Sequence, residues 1–151
     1  MRKGKRFFQK IYHFLRYNKK KKITIRIAIL LTYFECLIRI RPQSKLKKSY
    51  GEEKRESAED DTYEHVMYAY WLGRRVERIG NKLPWKVKCF ARALTAQKLL
   101  SEQGIHSTLY LGVRREDYGH SAHAWLRCGH AFVTGGDGTA SGHVIVTKFY
   151  K

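Results

Sequence analysis

Cysteine and proline are scarce in this sequence. Its three cysteines, Cys36, Cys89 and Cys128, are odd in number and show no Cys-x-x-Cys spacing, which argues against a disulfide framework and favours a reducing cytoplasm. Only two prolines occur among 151 residues, and 43% of the residues are apolar, so the composition argues against a disordered chain. The length is suited to a single domain.

The sequence also lacks a long uninterrupted apolar run. The most apolar stretch, residues 23–40, contains Arg26, Glu35 and Arg39. A membrane-spanning helix needs about 20 mostly apolar residues, and a charge at its centre costs about 2.5–3.5 kcal/mol on insertion scales. We therefore predict an amphipathic or core helix that ends before Pro42, with contact with a membrane surface as an alternative. No signal peptide is predicted, because no small-residue cleavage site follows the run.

Acidic residues are nearly absent from the first third of the chain. Residues 1–50 hold 16 Lys or Arg and one acid, a net charge of +15, whereas residues 51–151 hold 15 basic and 12 acidic residues, a net charge of +3. Such a basic segment is typical of contact with an anionic partner, or of a solvated helix face. We divide the chain into a basic, apolar helical arm (1–50), an acidic connection (51–61) and a core (62–151).

The core begins with helical periodicity and ends with period-two alternation. We predict a helix from Thr62 to Ile79, capped by Asp61 or Thr62, and a second helix from Cys89 to Gln103 that is closed by Gly104. Short strands follow at 109–113, 122–126, 131–134 and 143–150. Helices followed by antiparallel strands predict an α+β fold.

Cys89 lies at the start of the second predicted helix. Unpaired N–H groups and the positive end of the helix dipole favour a thiolate there, and the same N–H groups can stabilise an oxyanion. His123, 34 residues downstream on a predicted strand, is a candidate base for this nucleophile. The spacing alone leaves a structural alternative open, in which Cys89 fills the core and His123 is a hydrogen-bonded strand residue.

Histidine and cysteine cluster in the second half of the core, but not as metal ligands. The spacing matches no strong zinc pattern, and a strand alternates these side chains between two faces: His120, His123, Cys128 and His130. We therefore expect neither a metal ion nor another cofactor.

Three short motifs lie on the second predicted helix and the first two strands. Residues 89–94 read CFARAL, residues 112–113 read GV and residues 123–125 read HAW. Together they resemble the leader peptidases of lasso peptide biosynthesis, which have a transglutaminase-like, papain-like fold. The resemblance covers residues 62–150, and the combination is specific although each motif alone is weak.

The resemblance implies a Cys-His-Asp triad. In this triad Cys89 is the nucleophile, His123 is the general base and acid, and the third member is an Asp shortly after the histidine. Asp137, 14 residues after His123 in a Gly-Gly-Asp-Gly loop, is the nearest match. A backbone carbonyl or Thr134 is an alternative partner that could orient the imidazole.

The resemblance also implies a reaction and its partners. The reaction is removal of the leader peptide from a ribosomally made lasso peptide precursor, before a separate ATP-dependent synthetase closes the ring. A fused leader-recognition domain is a compact unit of roughly 80 residues, and residues 1–61 are too few and lack strand alternation. We therefore expect a split system with a separate leader-recognition protein. Residues 2–22 are a candidate for docking to an acidic partner or a membrane surface.

Two other interpretations stay open. Acyl transfer to an amine, as in transglutaminases, needs the same nucleophile. A non-catalytic protein could instead use the basic arm to bind a membrane surface or nucleic acid, of which nucleic acid is the less favoured partner. Salt-sensitive oligonucleotide binding without thiol reactivity would distinguish this last interpretation from catalysis.

Overall fold

The computed structural model of the protein describes residues 20–151, apart from the side chains of Gln43, Ser44 and Lys48. Residues 2–19, which form most of the segment predicted to dock to a partner or membrane, lie outside the described part. Four helices and five strands follow in chain order: α1 (Lys21–Ile40), α2 (Gln43–Tyr50), β1 (Glu52–Glu53), α3 (Tyr63–Gly80), α4 (Cys89–Ser101), β2 (Thr108–Glu116), β3 (Gly119–Cys128), β4 (Ala131–Thr134) and β5 (Val144–Tyr150).

The five strands form one antiparallel sheet in the order β1-β5-β2-β3-β4. Leu109 in β2 is paired with Leu126 in β3 and with Phe149 in β5, and all three side chains are buried. These residues share the face of the sheet that packs against α4. Helices before a small antiparallel sheet confirm the predicted α+β fold.

The helix α1 belongs to the same hydrophobic core as the sheet. Ile27 and Leu31 have no exposed surface, and the helix packs against α3 and α4. Burying a side chain of this size contributes about 1.5–3 kcal/mol. The interpretation of residues 23–40 as a core helix is thus confirmed, and the basic arm from α1 onward packs as part of the core. Within residues 20–151, no helix is long and apolar enough to cross a membrane.

Arg127 attaches the acidic connection (residues 51–61) to the face of the sheet opposite to the one that packs against α4. The guanidinium donates to the carbonyl oxygens of Ser57 at 3.0 Å and Gly129 at 2.6 Å, and it pairs with Glu56 at 3.2 Å. Because this side chain is buried, the charge-assisted hydrogen bonds offset the cost of removing the charge from water. The connection is therefore a packed part of the domain.

The observed helix and strand limits lie close to the predicted ones. Thr62 caps α3 as expected, since its hydroxyl accepts a hydrogen bond from the backbone N–H of His65 at 3.4 Å. Neither α2 nor β1 is predicted from periodicity. The strand β1 has only two residues, and it exists because it pairs with Tyr150 and Phe149 at the far end of the chain.

Candidate active site

Cys89 is the first residue of α4, as the sequence predicts. Its side chain is partly buried and packs against the hydrophobic core. The N-cap residue, Lys88, makes no side-chain capping hydrogen bond to the first turn of the helix. The N–H groups at the start of α4 therefore keep their capacity to stabilise a thiolate or an oxyanion beside Sγ.

The start of α4 is held in place by a buried carboxylate from α1. Glu35 is only 4% exposed, and its Oε2 accepts a hydrogen bond from the backbone N–H of Lys88 at 2.9 Å. Its Oε1 accepts from Arg39 Nε at 2.9 Å, so the buried charge is paired. Glu35 and Arg39 are two of the charged residues within the apolar run of α1. Together they position Lys88, the residue that precedes Cys89.

His123 is oriented by a backbone carbonyl. Its Nε2 lies 2.7 Å from the carbonyl oxygen of Gly135. A carbonyl oxygen can only accept a hydrogen bond, so Nε2 carries a proton, and in the neutral ring Nδ1 then holds the free lone pair. The basic nitrogen of His123 is therefore Nδ1.

The imidazole of His123 packs between two other rings. It stacks on Trp125 with ring centroids 5.8 Å apart, and the ring of His143 lies 5.1 Å away on another side. The nitrogens of His143 are within hydrogen-bond distance of the hydroxyl groups of Ser121, at 3.3 Å, and Ser141, at 2.9 Å. These contacts restrict rotation of the His123 ring.

Asp137 does not hold His123 in this structure. Its Oδ1 accepts hydrogen bonds from the Thr139 hydroxyl at 2.6 Å and from the Thr139 N–H at 3.0 Å, and these bonds keep the pKa of the carboxyl below its usual value. Thr134, the other alternative, has a buried hydroxyl with no hydrogen-bond partner within residues 20–151. The hydrogen-bond partner of the imidazole in this structure is thus the carbonyl of Gly135, one of the alternatives to Asp137 that the sequence left open.

The structure places Cys89 and His123 in the same domain but not in direct hydrogen-bond contact. Within the described residues, Sγ of Cys89 forms no hydrogen bond with the imidazole. The imidazole of His123 stacks on Trp125, and Cys89 packs against the hydrophobic core. Catalytic hydrogen bonds are often long or poorly aligned in free enzymes and tighten when substrate binds, and the catalytic pairing of Cys89 with His123 stays a prediction.

A chain of polar contacts connects the two predicted residues. Arg92, one turn after Cys89 in α4, forms an ion pair with Glu77 in α3. The other carboxylate oxygen of Glu77 accepts a hydrogen bond from the N–H of Gly135 at 3.4 Å. Because the carbonyl of Gly135 also holds His123, Glu77 connects the first turn of α4 to the loop that contacts the imidazole.

Glu77 and Arg92 are functional candidates that sequence reasoning missed. A signal was present in the spacing of Gly73, Glu77 and Gly80, which lie on one face of α3. A side chain at Gly73 would collide with the carbonyl of Val133 at 1.8 Å, and one at Gly80 would lie 3.1 Å from the Arg92 guanidinium. Two glycines flanking a carboxylate at helical spacing indicate a face on which other groups approach closely.

Gly112 connects the GV motif to the HAW motif. It lies directly opposite His123 in the pairing of β2 with β3. A Cβ atom at this position would lie 2.8 Å from two ring atoms of Trp125, which is 1% exposed. The absent side chain therefore leaves room for the indole against which His123 stacks.

Gly112→Ala is expected to destabilise the protein by about 1–3 kcal/mol, because the buried indole has to shift. Thermal or urea unfolding measures this change. In the double variant Gly112→Ala/Trp125→Phe, the smaller ring should make room for the methyl group, so the two effects should be less than additive. Additive losses would mean that the indole does not occupy the space beside Gly112.

The other two cysteines occupy different environments. Cys128 has no exposed surface, and burial raises the pKa of its thiol to about 12. Cys36 is exposed on α1, outside the core. Neither cysteine lies at a helix N-terminus, so Cys89 is the thiol whose position favours reactivity.

Comparison with known families agrees with this fold. A sequence model of the transglutaminase-like superfamily matches residues 28–147, a span that includes Cys89 and His123. The protein therefore belongs to the transglutaminase-like superfamily, which includes cysteine peptidases and acyltransferases. No curated protein and no solved structure matches the chain significantly.

Proposed function

We propose that the protein is a cysteine peptidase in which Cys89 is the nucleophile and His123 is the general base and acid. One observation carries the proposal: a cysteine opens the helix α4, and a histidine in the same domain is fixed in the tautomer that leaves Nδ1 basic. The superfamily to which the chain belongs uses this kind of chemistry.

The reaction follows from these two groups. Nδ1 of His123 takes the thiol proton, and Sγ of Cys89 forms a bond to the carbonyl carbon of the substrate peptide. The resulting oxyanion accepts hydrogen bonds from N–H groups at the start of α4. The Nδ1–H then protonates the leaving nitrogen as the C–N bond breaks, which releases an amine and leaves a thioester. Water attacks the thioester with Nδ1 as base, which releases a carboxylate and restores the thiol.

We propose that the substrate is a lasso peptide precursor and that the cut separates leader from core. The support is the combined motif, whose parts come together in the fold. The CFARAL motif opens α4, and the GV and HAW motifs lie on the paired strands β2 and β3.

Amine acyl transfer in place of hydrolysis would appear as a product heavier than the leader acid, so mass spectrometry of the products separates the two reactions.

Leader recognition is proposed to belong to a separate protein. The helix α1 is packed in the peptidase core and the acidic connection is attached to the sheet, so residues 20–61 form part of the peptidase domain. We expect that a leader-binding protein encoded beside this one accelerates precursor cleavage about a hundredfold or more, because it raises the local concentration of the scissile bond at Cys89. Cleavage rates of the purified chain with and without that protein measure the gain.

The reconstitution with the leader-binding protein needs one control, and one result would contradict the split system. The mixture with the Cys89→Ala variant should be inactive, which excludes a contaminating peptidase. Efficient cleavage by the chain alone, with no gain on adding the leader-binding protein, would contradict the split system while leaving the peptidase assignment intact.

A further inference from the structure

A groove of about 610 Å³ lies between α3 and the end of β4, beside the candidate active site. It borders the loop whose Gly135 carbonyl holds His123. Its walls combine cationic and aromatic side chains with two loop glycines: Tyr70, Arg74, Arg78, Phe132, Gly135 and Gly136.

The groove carries positive charge that the protein itself leaves unneutralised. Arg74 and Arg78 are exposed and lie one turn apart, so both reach the same wall. Arg74 contacts the hydroxyl of Tyr70 at 3.4 Å, and neither arginine forms an ion pair with another of residues 20–151. The acid on this wall, Glu77, is already paired with Arg92.

The walls of the groove indicate the class of ligand. Cationic side chains beside aromatic ones suit a peptide that carries carboxylates next to an apolar residue.

We propose that this groove binds an acidic segment of the substrate peptide. The identity of the ligand as substrate rests on the proposed function. The groove borders the loop whose Gly135 carbonyl accepts the hydrogen bond from Nε2 of His123. Carboxylates of the segment pair with Arg74 and Arg78, and its apolar side chain packs on Phe132.

Direct binding tests the groove without any cleavage. The probes are the acetylated, amidated tetrapeptide Gly-Phe-Glu-Glu and its Gly-Phe-Gln-Gln counterpart, titrated into the full-length chain and followed by amide NMR shifts. The Glu peptide is expected to bind about tenfold more tightly than the Gln peptide, because charge-assisted hydrogen bonds are lost in the latter. The largest shifts are expected at Gly135 and Gly136, and added salt should weaken them.

Paired variants separate the groove from the general basicity of the chain. Arg74→Gln/Arg78→Gln should abolish the preference for the Glu peptide. Arg41→Gln/Arg115→Gln removes the same charge from exposed positions outside the groove and should retain it. With a precursor that contains an acidic segment, the first double variant should raise KM about tenfold with kcat unchanged, as expected when uniform binding is lost.

Failure of this proposal is distinguishable from failure of the proposed function. Equal affinity for the two peptides, or a preference that survives Arg74→Gln/Arg78→Gln, would overturn the acidic-peptide site even if precursor is cleaved. Absence of precursor cleavage alongside an intact Glu preference would overturn the peptidase assignment instead, while leaving the acidic-peptide site in place.

Discussion

Cys89→Ala is expected to abolish precursor cleavage, with a loss in kcat of at least about a thousandfold, because no other group can form the acyl-enzyme. The fold should persist, since Cys89 has a small, partly exposed side chain at the first position of α4. We expect the free energy of unfolding to change by less than about 1 kcal/mol. Chromatography of the cleavage products and thermal unfolding of the variant measure the two effects.

A matched cysteine variant provides the control for this experiment. Cys36→Ala removes an exposed thiol from α1 and should cleave at the wild-type rate. If Cys89→Ala kept wild-type activity, or if Cys36→Ala alone removed it, the assignment of the nucleophile would be wrong.

His123→Ala is expected to cost about 10²–10⁴-fold in kcat, because the same ring takes the thiol proton and protonates the leaving nitrogen. Asp137→Ala should have a much smaller effect. Its carboxylate is engaged by Thr139, whereas the carbonyl of Gly135 holds the imidazole. Steady-state kinetics of the two variants, with circular dichroism to verify folding, test this order.

The contrary result is informative about the loop. A loss at Asp137 equal to that at His123 would mean that the loop rearranges on substrate binding and that the carboxylate replaces the carbonyl. A neutral carbonyl stabilises an imidazolium less than a carboxylate does. The carbonyl of Gly135 therefore orients the ring without placing a negative charge beside it.

Local patterns in the sequence were sufficient to predict most of the fold. Helical spacing and the capping residue Thr62 placed α3, and alternation placed the four longer strands within a few residues. The position of Cys89 at the first residue of α4 was also predictable, because helix starts are marked by local chemistry. Each of these features depends on residues that are close together in the chain.

The supporting contacts of the site were not predictable in the same way. The bond from Glu35 to the backbone of Lys88 joins residues 53 positions apart, and the bond from Glu77 to Gly135 joins residues 58 positions apart. Every residue has a backbone carbonyl, so the sequence does not indicate that the carbonyl of Gly135 contacts His123. The family resemblance implied a carboxylate partner for His123, whereas the structure places the carbonyl of Gly135 against the ring.

Rapid-quench mass spectrometry of the protein during precursor turnover tests the central claim most directly. We predict a transient adduct on intact protein whose added mass equals that of the leader acid minus water, and which peptide mapping locates at Cys89. The adduct should be absent in Cys89→Ala and unaffected in Cys36→Ala. Cleavage of the precursor with no adduct at Cys89, or with the adduct on another residue, would contradict the account.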